Sequence, residues 1–318
     1  MEKRKVIIDC DPGIDDAFAL VAALSSQNIE ILGITTVAGN NGLEAVTKNM
    51  LRIKKLMKSP VKIYVGKDSQ LPNHKDATKV HGGDGMGNSG LLFDERELEQ
   101  ESAVDFIIDS MKKYPNEIDL IALGPLTNLA QAIDKDYEAM KLIKSIYMMG
   151  GGIDRGNVTP YAEFNFWVNA EATANVFDLL AEHTEIHMMP LDACHQTLLN
   201  LNDIYFLQQE CGEIGESLAH MCQQYVKAYY AMNGYFGAVI HDLILVLYYL
   251  NPDLISEVKE EPIIIITEGE KIGQTVIDEN GKKVKIAWKL NNFDWKNELI
   301  ELVFPNVFER WKEVMHIE

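Results

Sequence analysis

The sequence has little positive charge, few cysteines and no long apolar segment, and each of these shortages excludes a class of protein. Its 318 residues include 29 lysines and arginines against 48 aspartates and glutamates, so the formal net charge is −19. This balance argues against nucleic acid or an anionic membrane surface as the partner. It favours a protein that binds a neutral or cation-bearing ligand.

The cysteines and the apolar segments give two further exclusions. No CxxC pair and no zinc-binding spacing is formed by the four cysteines, Cys10, Cys194, Cys211 and Cys222. Reduced thiols in a cytoplasmic protein are therefore the expectation. The longest apolar runs, near Leu243–Leu250 and Ile263–Ile266, are shorter than the roughly 18 residues of a membrane span, so we expect no membrane association. The start, MEKRKVIIDC, does not resemble a secretory signal.

Apolar runs alternate with segments of helical periodicity along most of the chain. Continuous Val, Ile and Leu stretches predict buried strands at Val6–Asp9, Ile29–Val37, Val61–Val65, Ile118–Leu123, Ser145–Met149 and Glu185–Met189. Helices are predicted between them at Asp16–Ser25, Leu43–Met57, Ser102–Lys113 and Ala170–Ala181. This βαβ alternation predicts a Rossmann-like α/β fold, with a mostly parallel central sheet flanked by helices.

The C-terminal part of the chain departs from this alternation. We expect one long helix or a helical pair over Asp203–Met232, and a further helix from His241 to Leu250. Strands are expected at Pro262–Thr267, Lys283–Lys289 and Glu298–Phe304, with a hairpin turn at Glu279-Asn280-Gly281. No repeat or linker divides the chain, so residues 1–318 are interpreted as one domain with helical and small β additions toward the C-terminus.

The stretch DCDPGIDD, residues 9–16, places four carboxylates at the end of the first predicted strand. Carboxylates this close repel one another and take up protons unless a cation compensates them. Oxygen ligands of this kind suit Ca²⁺ or Mg²⁺ better than zinc. Helix capping explains one or two of the four carboxylates. An EF-hand loop does not fit, because Leu20 stands where that loop requires a glutamate.

The other predicted strands also end in polar or glycine-rich segments. These segments are AGNNG (38–42), GPLTN (124–128), GGG (150–152), AEFN (162–165) and PLD (190–192). Ligands of open α/β sheets bind at the carboxyl ends of the strands, so this convergence predicts a ligand site there. Asn157, Glu163 and Asn165 suit hydroxyl groups, as on a sugar, although a solvated turn is the plainer interpretation of that segment.

Two further segments, HGGDGMGN and His241-Asp242, can each be interpreted either as part of a ligand site or as a purely structural feature. HGGDGMGN, residues 81–88, is too glycine-rich for a helix. It either closes over a substrate with His81 near it or is a flexible surface loop. His241-Asp242 begins an apolar helix, where Asp242 alone is interpreted as a helix cap.

The first motif also admits a different class of enzyme. Asp9-Cys10-Asp11 resembles the DxD motif of haloacid-dehalogenase-type phosphatases, which use an aspartate nucleophile and Mg²⁺. That motif requires Thr or Val two residues after the second aspartate, where this chain has Gly13. An Mg²⁺-dependent phosphatase is therefore the weaker alternative.

Taken together and in order, the motifs resemble the inosine-uridine preferring nucleoside hydrolase family. The resemblance runs from residue 6 to about 250 and is carried by IIDCDPGIDDA, TTVAGN, HGGDGMG, LGPLTNLA, MMGGG, AEFN, PLDACHQ and HD. It implies the nucleoside hydrolase fold and Ca²⁺-dependent hydrolysis of the N-glycosidic bond of ribonucleosides to ribose and free base. It also implies a homodimer or homotetramer. A non-catalytic nucleoside-binding protein is the alternative from another class.

The resemblance further implies a role for each matching residue. The Ca²⁺ ligands are expected to be the side chains of Asp11, Asp16 and Asp242 and the backbone carbonyl of Thr127. Asp11 is also expected to be the general base for a metal-bound water, with an oxocarbenium-like transition state stabilised by the anionic pocket. The substrate-binding residues are expected to be Asp15 and Asn40 at the ribose 2′-hydroxyl, Met149 beneath the ribose, and Asn157, Glu163 and Asn165 around its 5′- and 3′-hydroxyls.

The leaving base is expected to contact histidines. His241 matches the histidine that acts on the base in non-specific members of the family, and His81 matches a second pocket histidine. The pair of tryptophans that stacks on the base in the purine-specific branch has no counterpart here. We therefore expect a uridine-accepting or broad specificity. Tyr225 and Tyr229 are interpreted either as a mobile wall over the base or as a plain helix-packing face.

Overall fold

A ten-stranded sheet runs through the chain in the computed structural model, which describes residues 3–66, 73, 77–291 and 295–315. The strands are β1 Arg4–Cys10, β2 Ile29–Thr36, β3 Ile63–Val65, β4 Leu98–Ser102, β5 Ile118–Ala122, β6 Ser145–Met149, β7 Glu185–Met189, β8 Leu199–Asn200, β9 Gly237–Ala238, β10 Ile255–Ile265, β11 Thr275–Ile277 and β12 Lys282–Leu290. The sheet order is β11-β10-β12-β7-β6-β5-β1-β2-β3-β4, and β8 pairs separately with β9. Only β10 runs antiparallel to its neighbours in the described sheet, so the predicted mostly parallel α/β fold is confirmed.

Helices connect the parallel strands and cover both faces of the sheet. They are α1 Ile14–Ser25, α2 Leu43–Leu56, α3 Thr78–His81, α4 Ala103–Lys113, α5 Thr127–Met140, α6 Phe164–Val168, α7 Ala170–Leu180, α8 Leu191–Cys194, α9 Leu201–Glu210, α10 Gly212–Asn233, α11 His241–Leu250, α12 Trp295–Val303 and α13 Phe308–Met315. Three 3₁₀ turns lie at Glu95–Glu97, Pro252–Leu254 and Pro305–Val307.

The central strand β1 divides the hydrophobic core into two layers. Val6 and Ile8 pack on one face with α1, α10 and α11, whereas Ile7 packs on the other face with α4, α5 and α7. Successive side chains of a strand point to opposite faces, so an unbroken apolar strand serves both layers. Burial on both faces holds β1 in place, and with it the aspartates at and after its carboxyl end.

The helical pair in the C-terminal part is observed, and its boundary has a local cause. Helices α9 and α10 meet at Gly212, whose φ of +62° is a conformation that residues with a side chain adopt at a cost. The predicted helix from His241 to Leu250 is α11 with the same bounds.

Two predictions for the C-terminal strands are wrong. The predicted strand Glu298–Phe304 belongs to helix α12, which buries Trp295, Leu299 and Ile300 on one side. Periodicity alone does not separate a short apolar strand from a buried helix. The turn at Glu279-Asn280-Gly281 does not form a hairpin either, because β11 and β12 lie on opposite sides of β10. The edge strand β4 was not predicted, because its sequence LEQES is polar.

Two further expectations concern the state of the cysteines and membrane-spanning helices. All four cysteines are free and buried. No helix in the described part of the chain has the length and apolar character needed to cross a membrane.

Candidate active site

A pocket of about 440 Å³ opens where the parallel strands end. Its lining includes most of the residues predicted to bind the substrate or the metal, namely Asp15, Asn40, His81, Met149, Asn157, Glu163, Asn165, His241 and Asp242. These side chains come from loops and helix starts that are distant in sequence. The predicted convergence at the carboxyl edge of the sheet is therefore what the structure shows.

Asp11 and Asp16 are fully buried and contact the pocket through Asn40. The Asn40 backbone N–H donates to Asp11 Oδ2 at 2.6 Å, and its side-chain amide donates to Asp16 Oδ2 at 3.2 Å. Asp11 is also enclosed by two glycines, because a methyl group at Gly39 or Gly124 would collide with its carboxylate. The glycines of AGN and GPLTN thus allow two loops to approach Asp11 closely.

Helix capping accounts for only part of the aspartate cluster. The Gly13 backbone N–H donates to Asp16 Oδ2 at 2.9 Å, and both Asp15 and Asp16 lie in the first turn of α1, where the helix dipole favours negative charge. Five aspartate oxygens are nevertheless buried without a hydrogen bond among the described residues: Asp9 Oδ2, Asp11 Oδ1, Asp15 Oδ1, Asp16 Oδ1 and Asp242 Oδ1. Buried oxygens of this kind need a partner of opposite charge.

The pKa values of Asp11, Asp16 and Asp242 are all raised, which indicates that no positive charge of the described residues lies close to these carboxylates. Burial, followed by the charge of Asp15, raises the pKa of Asp16 to about 7. Burial and then the charge of Asp16 raise the pKa of Asp11, and burial and then the charge of Asp15 raise the pKa of Asp242. In this protein the cluster holds protons unless a cation replaces them.

A group of three carboxylates is arranged to hold a metal ion. Within the described residues, one oxygen each from Asp15, Asp16 and Asp242 lie within 4.8 Å of one another, and all three residues are buried. This group contains two of the predicted ligands, with Asp15 in the place of Asp11. Oxygen donors without histidine or cysteine suit a hard cation such as Ca²⁺ or Mg²⁺.

The fourth predicted ligand, Thr127, is the first residue of α5. Its neighbour Asn128 donates to Asp9 Oδ1 at 2.7 Å and to the Thr36 carbonyl at 3.1 Å, which ties this loop to β1 and β2.

Asp9 also accepts a hydrogen bond of 2.5 Å from Thr35 Oγ1, and burial raises its pKa to about 7. Asp9 is thus a buried structural residue, which argues against a phosphatase that uses it as the nucleophile.

The amides on the opposite wall are oriented by the backbone. Asn165 Nδ2 donates to the carbonyls of Leu123 and Met149 at 2.8 and 3.1 Å, which leaves Oδ1 to accept from a hydroxyl group. Glu163 accepts from the backbone N–H groups of Gly151, Asn165 and Phe166 at 2.8 to 3.1 Å. Burial raises the pKa of Glu163 to about 7 despite these donors.

Two histidines and two tyrosines form the other wall of the pocket. His81 Nδ1 accepts from the Ile14 backbone N–H at 3.1 Å, so its proton is on Nε2. His241 Nε2 lies 2.6 Å from Tyr229 Oη, and burial lowers the pKa of His241 to about 3. Tyr225 lies 5.3 Å from His81 between ring centroids. Both tyrosines line the pocket and are also packed in the hydrophobic core, so the geometry fits the wall and the helix-packing interpretation alike.

The HGGDGMGN segment is an ordered turn that helps to place His81. Asp84 Oδ1 accepts from the Met86 and Asn88 backbone N–H groups at 2.8 Å each, and Met86 is fully buried. His81 itself ends the short helix α3. Hydrogen bonds to Asp84 and the burial of Met86 thus hold the segment beside the pocket that His81 lines.

Sequence reasoning missed His195 and Arg155, which also line the pocket. The His195 ring centroid lies 5.5 Å from that of His241, and its Nδ1 is buried without a hydrogen-bond partner among the described residues. His195 could have been predicted from the motif PLDACHQ, because this motif directly follows strand β7, as the other site segments follow their strands. Arg155 gave no signal, because it is a single exposed residue in a turn.

Buried carboxylates suited to a cation, amides suited to sugar hydroxyls and neutral histidines meet at the carboxyl edge of a parallel sheet. Fold and site together describe an α/β protein with a small polar ligand pocket beside a carboxylate group. The family follows from comparison with known proteins.

The chain matches the model of the inosine-uridine preferring nucleoside hydrolases over residues 6–297. It is 34% identical over 284 residues to the pyrimidine-specific ribonucleoside hydrolase RihB of Escherichia coli (strain K12 / DH10B), covering 88% of this chain and 89% of that protein. The structure of the purine-preferring ribonucleoside hydrolase from Gardnerella vaginalis matches with a TM-score of 0.85 and 30% identity, covering 98% of this chain and 100% of the other. The plant nucleoside hydrolase PpNRh1 matches with a TM-score of 0.86 and 26% identity, covering 95% and 98%.

The chain therefore belongs to the inosine-uridine preferring nucleoside hydrolase family. It is a hydrolase that acts on the N-glycosidic bond of nucleosides.

Proposed function

We propose that this hydrolase cleaves ribonucleosides to ribose and free base with Ca²⁺ as its cofactor. The observation that supports this most directly is the set of five buried aspartate oxygens without hydrogen-bond partners in the described chain, next to a pocket lined by amides. A cation would replace the protons that the cluster otherwise holds, and the amides suit the hydroxyl groups of a ribose. The nearby neutral histidines suit a nucleobase.

The residues proposed to hold the ion are the side chains of Asp11, Asp16 and Asp242 with the carbonyl of Thr127. Asp15 belongs to the compact carboxylate group as well, and we propose that it binds the ribose 2′-hydroxyl together with Asn40. A bound Ca²⁺ supplies positive charge that lowers the pKa of a nearby water and orients ribose hydroxyls. Only oxygen ligands are offered here, which is what this cation prefers.

In the proposed reaction, Asp11 accepts a proton from the attacking water as the water oxygen bonds to C1′ of the ribose. The bond from C1′ to the base nitrogen breaks, and the bonding electrons leave with the base. Glu163 and the other carboxylates stabilise the positive charge that develops on the sugar. Asn157, Glu163 and Asn165 bind the 5′- and 3′-hydroxyls, and Met149 lies beneath the ring.

On the base side, we propose that His241 contacts the leaving base with Tyr229 as its partner, and that His81 donates from Nε2. Burial keeps His241 neutral in the free protein, so its contribution begins as a hydrogen bond to the base. A uridine-accepting or broad specificity is proposed, since tyrosine and histidine rings line the wall without tryptophan. The names of the two relatives above cover both pyrimidine and purine preferences.

A reducing-sugar assay tests the proposal. Uridine, cytidine, inosine, adenosine and guanosine are each incubated with the purified protein, with added Ca²⁺ or with a strong chelator. We expect ribose release that the chelator abolishes and Ca²⁺ restores, with uridine among the substrates. Tight binding of a nucleoside without any ribose release would instead indicate a non-catalytic binding protein.

The variant Asp11→Ala tests the proposed base. We expect turnover to fall by about 10³-fold or more, because the variant loses both proton acceptance and a cation ligand. Asp134→Ala is the matched control, since Asp134 is an exposed residue of α5 that does not line the pocket. Turnover near the wild-type rate in Asp11→Ala would remove Asp11 from the mechanism.

Three further properties are proposed with this function. One sheet contains strands from both ends of the chain, which supports residues 1–318 as a single domain. A homodimer or homotetramer and a cytoplasmic location are proposed from the family resemblance and from the free cysteines.

A further inference from the structure

The loop between β10 and β11, residues 266–274, packs against the segment that carries the proposed ribose-binding residues. Gln274 forms an isolated antiparallel bridge with Ala162, the residue before Glu163. Lys271 Nζ lies 5.2 Å above the ring centroid of Tyr161. The C-terminal β addition thus reaches the site, although it contributes no side chain to the pocket lining among the described residues.

The contact is closest at Gly273. A methyl group built on Gly273 would lie 2.5 Å from Cα and 2.9 Å from the backbone nitrogen of Trp167. That same nitrogen donates to the Glu163 carbonyl at 2.9 Å. Gly273 therefore lies directly against the single turn of helix that begins at Glu163.

The loop is itself closed by backbone hydrogen bonds. The Ile266 N–H donates to the Gln274 carbonyl at 3.0 Å, and the Gly273 N–H donates to the Ile266 carbonyl at 2.7 Å. The left-handed φ of Gly273, +81°, is required by this closure. The loop thus presents its backbone to Trp167 in one fixed arrangement.

A second contact reaches Gly151, whose backbone N–H donates to the Glu163 carboxylate. A methyl group on Gly151 would lie 2.8 Å from Thr275 Oγ1, so these residues are also closely packed. The Gly151 N–H donates to Glu163 Oε2 at 3.0 Å. Gly273 and Thr275 therefore support two structures: helix α6, which Glu163 caps, and Gly151, which donates a hydrogen bond to the Glu163 carboxylate.

We propose that the loop of residues 266–274 is a positioning element for Glu163 and Asn165, with Gly273 as its main contact. This inference rests on the proposed function, in which these two residues bind ribose hydroxyls. Helix α6 has only five residues, and helices this short do not hold their geometry without tertiary support. Displacement by about 1 Å reduces the rate of a well-positioned reaction by on the order of 10²-fold.

The chain provides a matched pair of variants for the test. Gly273 and Gly269 lie in the same loop and have φ values of +81° and +77°, so alanine strains the backbone similarly at both. A methyl group on Gly269 meets nothing within 4 Å, whereas a methyl group on Gly273 collides with Trp167. The difference between Gly273→Ala and Gly269→Ala therefore isolates the contact with the site.

The readout is how much the 5′- and 3′-hydroxyls of the ribose contribute to catalysis. For each protein, kcat/KM is measured with the ribonucleoside that is hydrolysed fastest and with its 5′-deoxy and 3′-deoxy analogues. In Gly273→Ala we expect the preference for the parent nucleoside over the analogues to fall by about tenfold or more, because the hydroxyl contacts are misplaced. Gly269→Ala should keep the wild-type preference. A loss of stability alone lowers every activity equally and leaves this ratio unchanged.

An unchanged preference in Gly273→Ala, or an equal change in Gly269→Ala, would overturn the inference. If Gly273→Ala does not fold, Lys271→Ala replaces it, because Lys271 is exposed and its Nζ lies over the ring of Tyr161 in the segment before Glu163. We then expect the preference to fall by about twofold to fivefold, and an unchanged ratio overturns the inference in that case. Absence of ribose release by the wild-type protein would contradict the proposed function itself, which separates the two failures.

Discussion

The hydroxyl oxygen of Tyr229 lies 2.6 Å from Nε2 of His241, and both side chains line the pocket. The two residues come from different elements, since Tyr229 lies in α10 and His241 begins α11. His241 Nδ1 is buried without a hydrogen-bond partner among the described residues. The pair therefore leaves one ring nitrogen of His241 for a further interaction, which we assign to the leaving base.

Replacement of His241 is expected to affect substrates according to their leaving group. His241→Ala should lower kcat/KM for inosine by about 10²-fold or more, because a purine base departs poorly without a hydrogen bond or proton. Hydrolysis of 4-nitrophenyl riboside should change much less, since nitrophenolate needs no such help. Steady-state kinetics with both substrates gives the comparison, and Tyr229→Phe is the milder variant that removes only the hydroxyl. Equal losses on both substrates would show that His241 only shapes the pocket.

Removal of the proposed cation is expected to destabilise the protein. Without it, the buried carboxylates of Asp11, Asp16 and Asp242 have no counter-charge and hold protons or repel one another. Saturation with Ca²⁺ at about 100 times its Kd adds about 2.7 kcal/mol, which corresponds to a rise in Tm of about 4 °C for a chain of this length. Thermal denaturation with Ca²⁺ and with a chelator measures this shift.

Two aspartate variants test whether the rise in Tm comes from binding of Ca²⁺ at the proposed site. Asp242→Asn should lose the Ca²⁺-dependent rise in Tm, because it removes a carboxylate from the compact group. Asp134→Asn should keep the rise, since Asp134 is an exposed residue of α5. A Tm that does not respond to Ca²⁺ in the wild-type protein would contradict the proposed cofactor.

A buried histidine that does not line the pocket, His187, is expected to contribute to the pH dependence of stability. His187 stacks on Tyr147 at 4.1 Å between centroids, its Nδ1 lies 3.1 Å from Tyr248 Oη, and its Nε2 lies 2.5 Å from Glu185. Burial lowers the pKa of His187 below its ordinary 6.5, although the charge of Glu185 opposes this. Below pH 6.5 the unfolded chain therefore takes up a proton that the folded protein does not.

It follows that the contribution of His187 is complete above pH 6.5 and is lost as the pH falls below that value. The slope is at most about 1.4 kcal/mol per pH unit for one histidine. In His187→Phe, the free energy of unfolding should fall less steeply between pH 7 and pH 5, as measured by urea denaturation at each pH. Parallel curves for the two proteins would contradict this assignment.

Where the sequence predicted correctly, the signal was local. The buried parallel strands were predicted from continuous apolar runs, and their observed bounds differ by a residue or two. The aspartate cluster was predicted from eight consecutive residues, and its burial and raised pKa values agree with the need for a cation. The prediction failed at Glu298–Phe304, where an apolar run of this length fits a strand or a buried helix equally well.

The sequence by itself determined the α/β alternation, the carboxylate-rich end of β1 and the family, because periodicity and motifs are properties of neighbouring residues. Only the tertiary structure decided which distant groups meet. It brought Asp242 to Asp15 and Asp16, paired Tyr229 with His241, joined β12 to the edge of β7, and placed Gly273 against Trp167. These contacts depend on the path of the whole chain and on the burial that pays for its ordering, which no short stretch of sequence contains.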